Sequence, residues 1–177
     1  MEVEYYIAKS SGFQSLFELF GASTVAPMAN ERNPIMDADI DIDDLIPHRD
    51  RMKLIDAVVS VAEDAAVTSA VVTDRWPLCD GGGVSSLVLI ELAAQTSAVS
   101  IGWKKLTTTG KSGGKGWLVG IREARFHMGA IPVGSEVLTH SKINFALDNY
   151  TEIRGTATVN GETVGEVSLQ VMREETA

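Results

Sequence analysis

The chain has 177 residues, 45% hydrophobic and 22% charged, with a formal net charge of −9 and a pI near 4.8. That size suits one globular domain with a buried core, and an acidic balance leaves no basic excess to neutralise phosphates, which argues against nucleic acid as the main partner. The single cysteine, Cys79, excludes an intrachain disulfide framework and a multi-cysteine metal site.

The N-terminal "MEVEYYIAKSS" is acidic and lacks the basic-then-apolar order of a signal peptide. The most apolar segment carries Glu91, Gln95 and Thr96 and makes a poor membrane span. A cytoplasmic protein is the expectation. Residues 1–36 read as an N-terminal extension. Within it Phe13, Leu16, Phe17 and Phe20 fall at helical spacing, a face expected to pack onto the body of the protein.

The aspartates at 37, 39 and 41 imitate the start of a calcium loop. The match fails at position six, Ile42, and at position twelve, His48, so calcium binding is rejected. A strand or turn leading to a short helix capped near Asp43 is expected instead. "MKLIDAVVSVAEDAAVTSAVVT" reads as two strands joined around Glu63–Asp64, rich in β-branched valine. After Gly81, Gly82 and Gly83, residues 84 to about 105 read as one long helix of good helix formers without proline. "LTTTGKSGGKG" reads as a loop, and its "GKS" is no phosphate loop, because Leu106 stands where the first glycine belongs. From Gly116 onward the pattern is strand throughout, with hairpin turns at Asp148–Asn149 and Asn160–Gly161. A helix apolar on most faces needs cover on nearly all sides, and an antiparallel sheet curled around it supplies that. The fold class is α+β.

Three stretches in this order resemble the hotdog fold, and more narrowly the β-hydroxyacyl-ACP dehydratases of fatty acid synthesis (the FabZ/FabA type). They are "LIPHRDRMKLID" from Leu45, "VLIELAAQ" from Val88 and "VGIREARFHMGAIPVGSEVL" from Val119. The resemblance implies a hotdog domain over 37–177, a catalytic carboxyl at Glu91, an acyl-ACP or acyl-CoA substrate, no cofactor or metal, and a homodimer with the substrate tunnel between subunits. A heterodimer is the alternative assembly. The family's Gly-His-Phe-Pro histidine is missing: the matching "WPLCDGGGV" contains none. That glycine-rich form looks closer to the dehydratase-like proteins of aryl-polyene-type clusters.

The candidate site follows from this. Leu87, Glu91 and Gln95 share one helix stripe, and Gln95 is placed to hydrogen-bond the carboxyl group or to orient a water beside it. A carboxyl held in an apolar setting suits proton transfer. Gly82, Gly83 and Val84, just before the expected helix start, are placed to bind substrate, their amides polarising a thioester carbonyl. Asp80 occupies the place of the missing histidine and is a candidate base, with a cap or loop role as the plainer reading. His48 is most simply a loop anchor, but the lack of another base keeps it as a catalytic candidate. Cys79 reads as an inert thiol, and His127 and His140 as structural strand residues. Arg49, Arg51, Lys53, Arg122 and Arg125 are candidates for meeting a carrier phosphate, with ordinary surface pairing as the default. The leading function is a β-hydroxyacyl-ACP dehydratase-like enzyme. The alternatives are a non-catalytic carrier-binding subunit and an acyl-thioesterase.

Overall fold

The computed structural model describes residues 41–111 and 116–173. The expectations for the N-terminal extension and for Asp37 and Asp39 lie outside the described residues. The elements in order are helix α1 (Ile42–Leu45), a short 3-10 turn (Asp50–Met52), β1 (Ala57–Val61), β2 (Ala65–Val71), β3 (Val84–Ser85), helix α2 (Val88–Thr109), β4 (Gly116–Phe126), β5 (Ala130–Ile131), β6 (Glu136–Leu147), β7 (Tyr150–Val159) and β8 (Glu162–Arg173).

Six strands form one antiparallel sheet in the order β1-β2-β6-β7-β8-β4, and β3 pairs with β5 apart from it. The expected hairpins are present. Asn160 and Gly161 both have positive φ and link Val159 to its partner Glu162, as a two-residue loop between twisted strands requires. Asp148, also at positive φ, turns β6 into β7. The expected turn at Glu63–Asp64 joins β1 to β2, closed by the Ala62 amide on the Ala65 carbonyl.

Helix α2 lies against the sheet. Leu89, Leu92, Val99, Val137 and Val159 form the main apolar core with Leu54 and Ile55, and Ala93 packs with Ile153, Val167 and Leu169 in a second cluster. Small residues allow the close approach. A Cβ on Gly165 would sit 2.6 Å from Leu89 Cδ1, and one on Gly155 would overlap Ala93 Cβ. The sheet-wrapped helix expected from the sequence is the observed architecture.

The helix limits differ from the expectation at both ends. Val84 and Ser85 do not begin the helix, because they pair with Ile131 and Ala130. Gly83 fits that ladder: its φ is 153°, and a Cβ there would lie 2.8 Å from the Ile131 carbonyl oxygen. At the other end the helix runs on to Thr109 and stops at Gly110, in the left-handed region. Thr107, Thr108 and Thr109 turn their hydroxyls back to the carbonyls of Trp103, Lys104 and Lys105, which satisfies the side chains inside the last turn. The first helix is capped by Asp41, whose carboxylate accepts the Asp43 amide at 3.0 Å, and not at Asp43 itself.

Candidate functional site

The segment between α1 and β1 is pinned from two sides. Helix α1 rests on α2 at Gly102, where any Cβ would overlap the Leu45 carbonyl. Pro47 then enforces extended backbone on Ile46 (φ −124°, ψ 148°), which ends the helix and leaves nearby carbonyls without helical partners. The Arg49 guanidinium gathers them: it donates to the carbonyls of Ile46, His48 and Asp43, each at 2.7 Å. Lys53 bonds the Asp43 carboxylate at 2.8 Å, and this hydrogen bond holds that carboxyl below the ordinary aspartate range. Arg49 and Lys53 are thus engaged within the protein, Lys53 in the ordinary pairing with a nearby acid that was the default expectation for it.

Gln95 pins the other end. It is fully buried on α2. Its side-chain oxygen accepts the Leu54 amide at 3.0 Å, and its nitrogen donates to the Met52 carbonyl at 2.5 Å and to Glu91 Oε1 at 2.8 Å. The loop between these two clamps carries His48, and His48 Nε2 lies 3.2 Å from the same Glu91 Oε1. The two side chains are 28% and 32% exposed, so the pair is open to a ligand on one side and is not sealed in the core. His48 Nδ1, by contrast, is enclosed and has no hydrogen-bond partner among the described residues.

Three candidate residues therefore meet: Glu91, His48 and Gln95. The others sit elsewhere on the same side of the chain's path. Asp80 is exposed, and its carboxylate accepts the Gly82 amide at 3.0 Å, while its own amide bonds the Gly83 carbonyl. "CDGGG" is thus a tight turn closed on itself, with the Gly82 N–H already occupied and β3 standing between the glycines and the helix. Val84 is buried in the core. Leu87 precedes the helix by one residue and is exposed. It also borders a cleft of about 460 Å³ lined by Ser85, Ser86, Phe126, His127 and Met128. That cleft does not include Glu91 or His48. Cys79 is a free thiol in an isolated bridge to Val84. Among the described residues no group of His, Cys, Asp and Glu could hold a metal ion, and no helix is long and apolar enough to cross a membrane.

Sequence reading missed the Arg49 clamp, and it kept His48 as a catalytic candidate beside the loop-anchor reading without pairing it with Glu91. The available signal was the Pro-His-Arg order itself: a proline that breaks hydrogen bonding is followed by the side chain best able to donate several bonds at once.

Comparison with known proteins bears on the fold and the family. A search of curated proteins finds no match to the chain. Among solved structures, the dehydratase heterocomplex ApeI:P from Xenorhabdus doucetiae superposes with a TM-score of 0.70 at 20% identity, covering 77% of this chain and 93% of that one. An HP0420 homologue from Helicobacter felis gives 0.60 at 13% identity, covering 81% and 96%. A hypothetical thioesterase with coenzyme A from Streptococcus pneumoniae gives 0.53 at 12% identity, covering 68% and 86%. At these identities the likeness shows the fold, which is the hotdog fold. The family model described as ApeP dehydratase, of the ApeP-like type, matches residues 40–177, and the chain belongs to that family, a group of acyl-thioester-processing, dehydratase-like hotdog proteins.

Proposed function

We propose that this chain removes water from a β-hydroxyacyl thioester and that Glu91 moves the protons. The observation that carries the reading is the convergence of His48 and Gln95 on one carboxylate oxygen, at 3.2 and 2.8 Å, with the pair partly open to solvent. Dehydration needs an α-proton removed and a leaving hydroxyl protonated, and a carboxylate held by the Gln95 amide and faced by an imidazole is a proton-transfer group set in a fixed orientation. Leu87 lines the approach. Asp80, Gly82 and Gly83 enter as the turn that supports β3 and the start of α2, not as acid or base. The thioester arrives on an acyl carrier protein or on coenzyme A, in fatty acid or polyene synthesis, in the cytoplasm.

The test offers purified protein a β-hydroxyacyl thioester and, separately, a plain acyl-CoA. Water loss that vanishes in Glu91→Gln supports the proposal. Release of free thiol instead points to a thioesterase, and tight binding without turnover points to a carrier-binding subunit.

A second observation supports association with another hotdog subunit. Among the described residues strand β4 pairs only with β8, and it carries Trp117, Leu118, Val119 and Ile121 exposed on that edge. An apolar sheet edge of this length is a template for pairing, and a second copy continuing the sheet along β4 covers it. A related partner chain is the alternative, as the relative titled a heterocomplex illustrates.

A further inference from the structure

We infer that the outer face of the sheet, turned away from α2, is the docking site for the chain's own N-terminal segment, with the stripe Phe13, Leu16, Phe17 and Phe20 lying across one apolar row. The inference does not depend on the reaction proposed above.

Register brings the row together. Leu147 pairs with Tyr150, Tyr150 with Met172, and Met172 with Trp117, so β6, β7, β8 and β4 each contribute one residue side by side. Directly opposed residues share a face. It is the face away from the helix, because the alternate residues Thr151 and Ile153 are buried and Ile153 packs with Ala93 of α2. Phe145, two residues before Leu147, extends the patch, its ring centroid 6.3 Å from that of Tyr150. Leu147, Trp117, Phe145 and Met172 are all exposed. Single exposed apolar residues are ordinary, but a contiguous patch marks an interaction surface. The row lies on the face of the sheet and not along the β4 edge, so a neighbour on that edge leaves it uncovered.

The border of the patch sets the chemistry of its partner. Arg122 and the Tyr150 hydroxyl both donate to Glu152 Oε1 at 2.8 Å, and Gln170 donates to the Tyr150 hydroxyl at 2.8 Å. These polar groups are used within the sheet, and they hold the Tyr150 ring in place. Beyond them Lys142 and Arg154 stand opposed across β6 and β7, both exposed. Among the described residues neither has an acidic partner. Like charges directly opposite are destabilising, and an acidic neighbour relieves them. The fitting partner is therefore an apolar stripe carried on an acidic segment.

Residues 1–40 supply both. They hold six acids against two cations, Lys9 and Arg32. As a helix, the stripe from Phe13 to Phe20 spans about 11 Å, and four strands ~4.8 Å apart make a row of about 14 Å. Helix α1, which follows the segment, rests on α2, so the connection must round one edge of the sheet. The 20 residues from 21 to 40 reach up to about 66 Å, more than the half-turn around a six-stranded sheet about 24 Å wide requires. The tether also favours this occupant over a second copy, because it keeps the stripe near the row at an effective concentration of about millimolar.

Disulfide trapping on the full chain tests this, in a Cys79→Ser background that removes the one native thiol. Phe17→Cys is combined either with Leu147→Cys on the row or with Val133→Cys, an exposed site at the opposite end of β6. In oxidised glutathione the chain with Leu147→Cys is expected to close an intramolecular disulfide at least about tenfold faster than the chain with Val133→Cys, since docking raises the local concentration of one thiol at the other. Adding Phe13→Ser and Leu16→Ser is expected to bring the faster rate down to the slower one. Adding Lys142→Glu is expected to slow it about threefold. Far-UV circular dichroism checks that each variant keeps its strands. Equal rates at the two sites, or a fast rate that survives loss of the stripe, overturn the inference. A disulfide-linked dimer as the main product overturns it too, and assigns the row to a second copy of the chain.

Discussion

The Arg49 guanidinium donates to the carbonyl of its own neighbour, His48, at 2.7 Å, and with the same nitrogen to Ile46 at 2.7 Å. The arginine beside the histidine thus fixes the backbone from which the imidazole reaches Glu91. Replacing it by lysine keeps the charge but loses the fork. Arg49→Lys is expected to reduce kcat about tenfold while costing roughly 1 kcal/mol of global stability. Steady-state kinetics beside a urea titration checks this; an unchanged kcat would show that the loop holds its shape without the clamp.

Gln95 makes three side-chain hydrogen bonds at the site. Gln95→Leu has about the right volume but strands the buried Leu54 amide and leaves the part-buried Met52 carbonyl to find another partner. The expected cost is about 1–3 kcal/mol, chiefly the one unsatisfied buried amide. A shift of the urea midpoint at constant slope measures it.

Gly102 marks the place where α1 touches α2. Gly102→Ala drives a methyl group into the Leu45 carbonyl, and overpacking of this kind costs about 1–3 kcal/mol. Because His48 follows α1 directly, activity is expected to fall further than stability does. Amide hydrogen exchange of residues 42–49 is expected to speed up, while that of β7 and β8 stays as it was.

The β4 edge gives a prediction about assembly. Val119→Lys places a charge on an exposed apolar edge, the device by which sheet edges are kept unpaired. The variant is expected to run at half the wild-type mass by light scattering, with secondary structure intact. Wild-type protein already at monomer mass would remove the case for β4 as an interface.

His140 gives a pH dependence. Burial on β6 and the nearby Lys142 charge lower its pKa below the ordinary 6.5. The unfolded chain therefore binds a proton on His140 more readily than the folded one as pH drops through about 6.5, and stability falls with it. The contribution is complete above that pH and is lost on acidification. His140→Gln is expected to flatten the stability profile between pH 7 and 5, measured by thermal melts across that range.

Much of this fold is legible locally. The strands after Gly116, the Asn160–Gly161 turn and a long apolar helix each announce themselves within a window of a dozen residues, because period and turn chemistry are local properties. Glu91 stands out the same way, as a charge in an apolar run. The helix start is not legible, since Val84 and Ser85 leave it to pair with Ile131 and Ala130, far along the chain. The contact between Glu91 and His48 is hidden for the same reason. Nothing near His48 in sequence names its partner, and the packing of α1 on Gly102 together with the Gln95 bonds to Met52 and Leu54 brings the loop within reach.

His48, Gln95 and Glu91 belong to one polypeptide, so their contacts form without a second chain. What an associated subunit adds to the site is therefore read directly, as the difference in turnover between the wild type and the edge variant Val119→Lys.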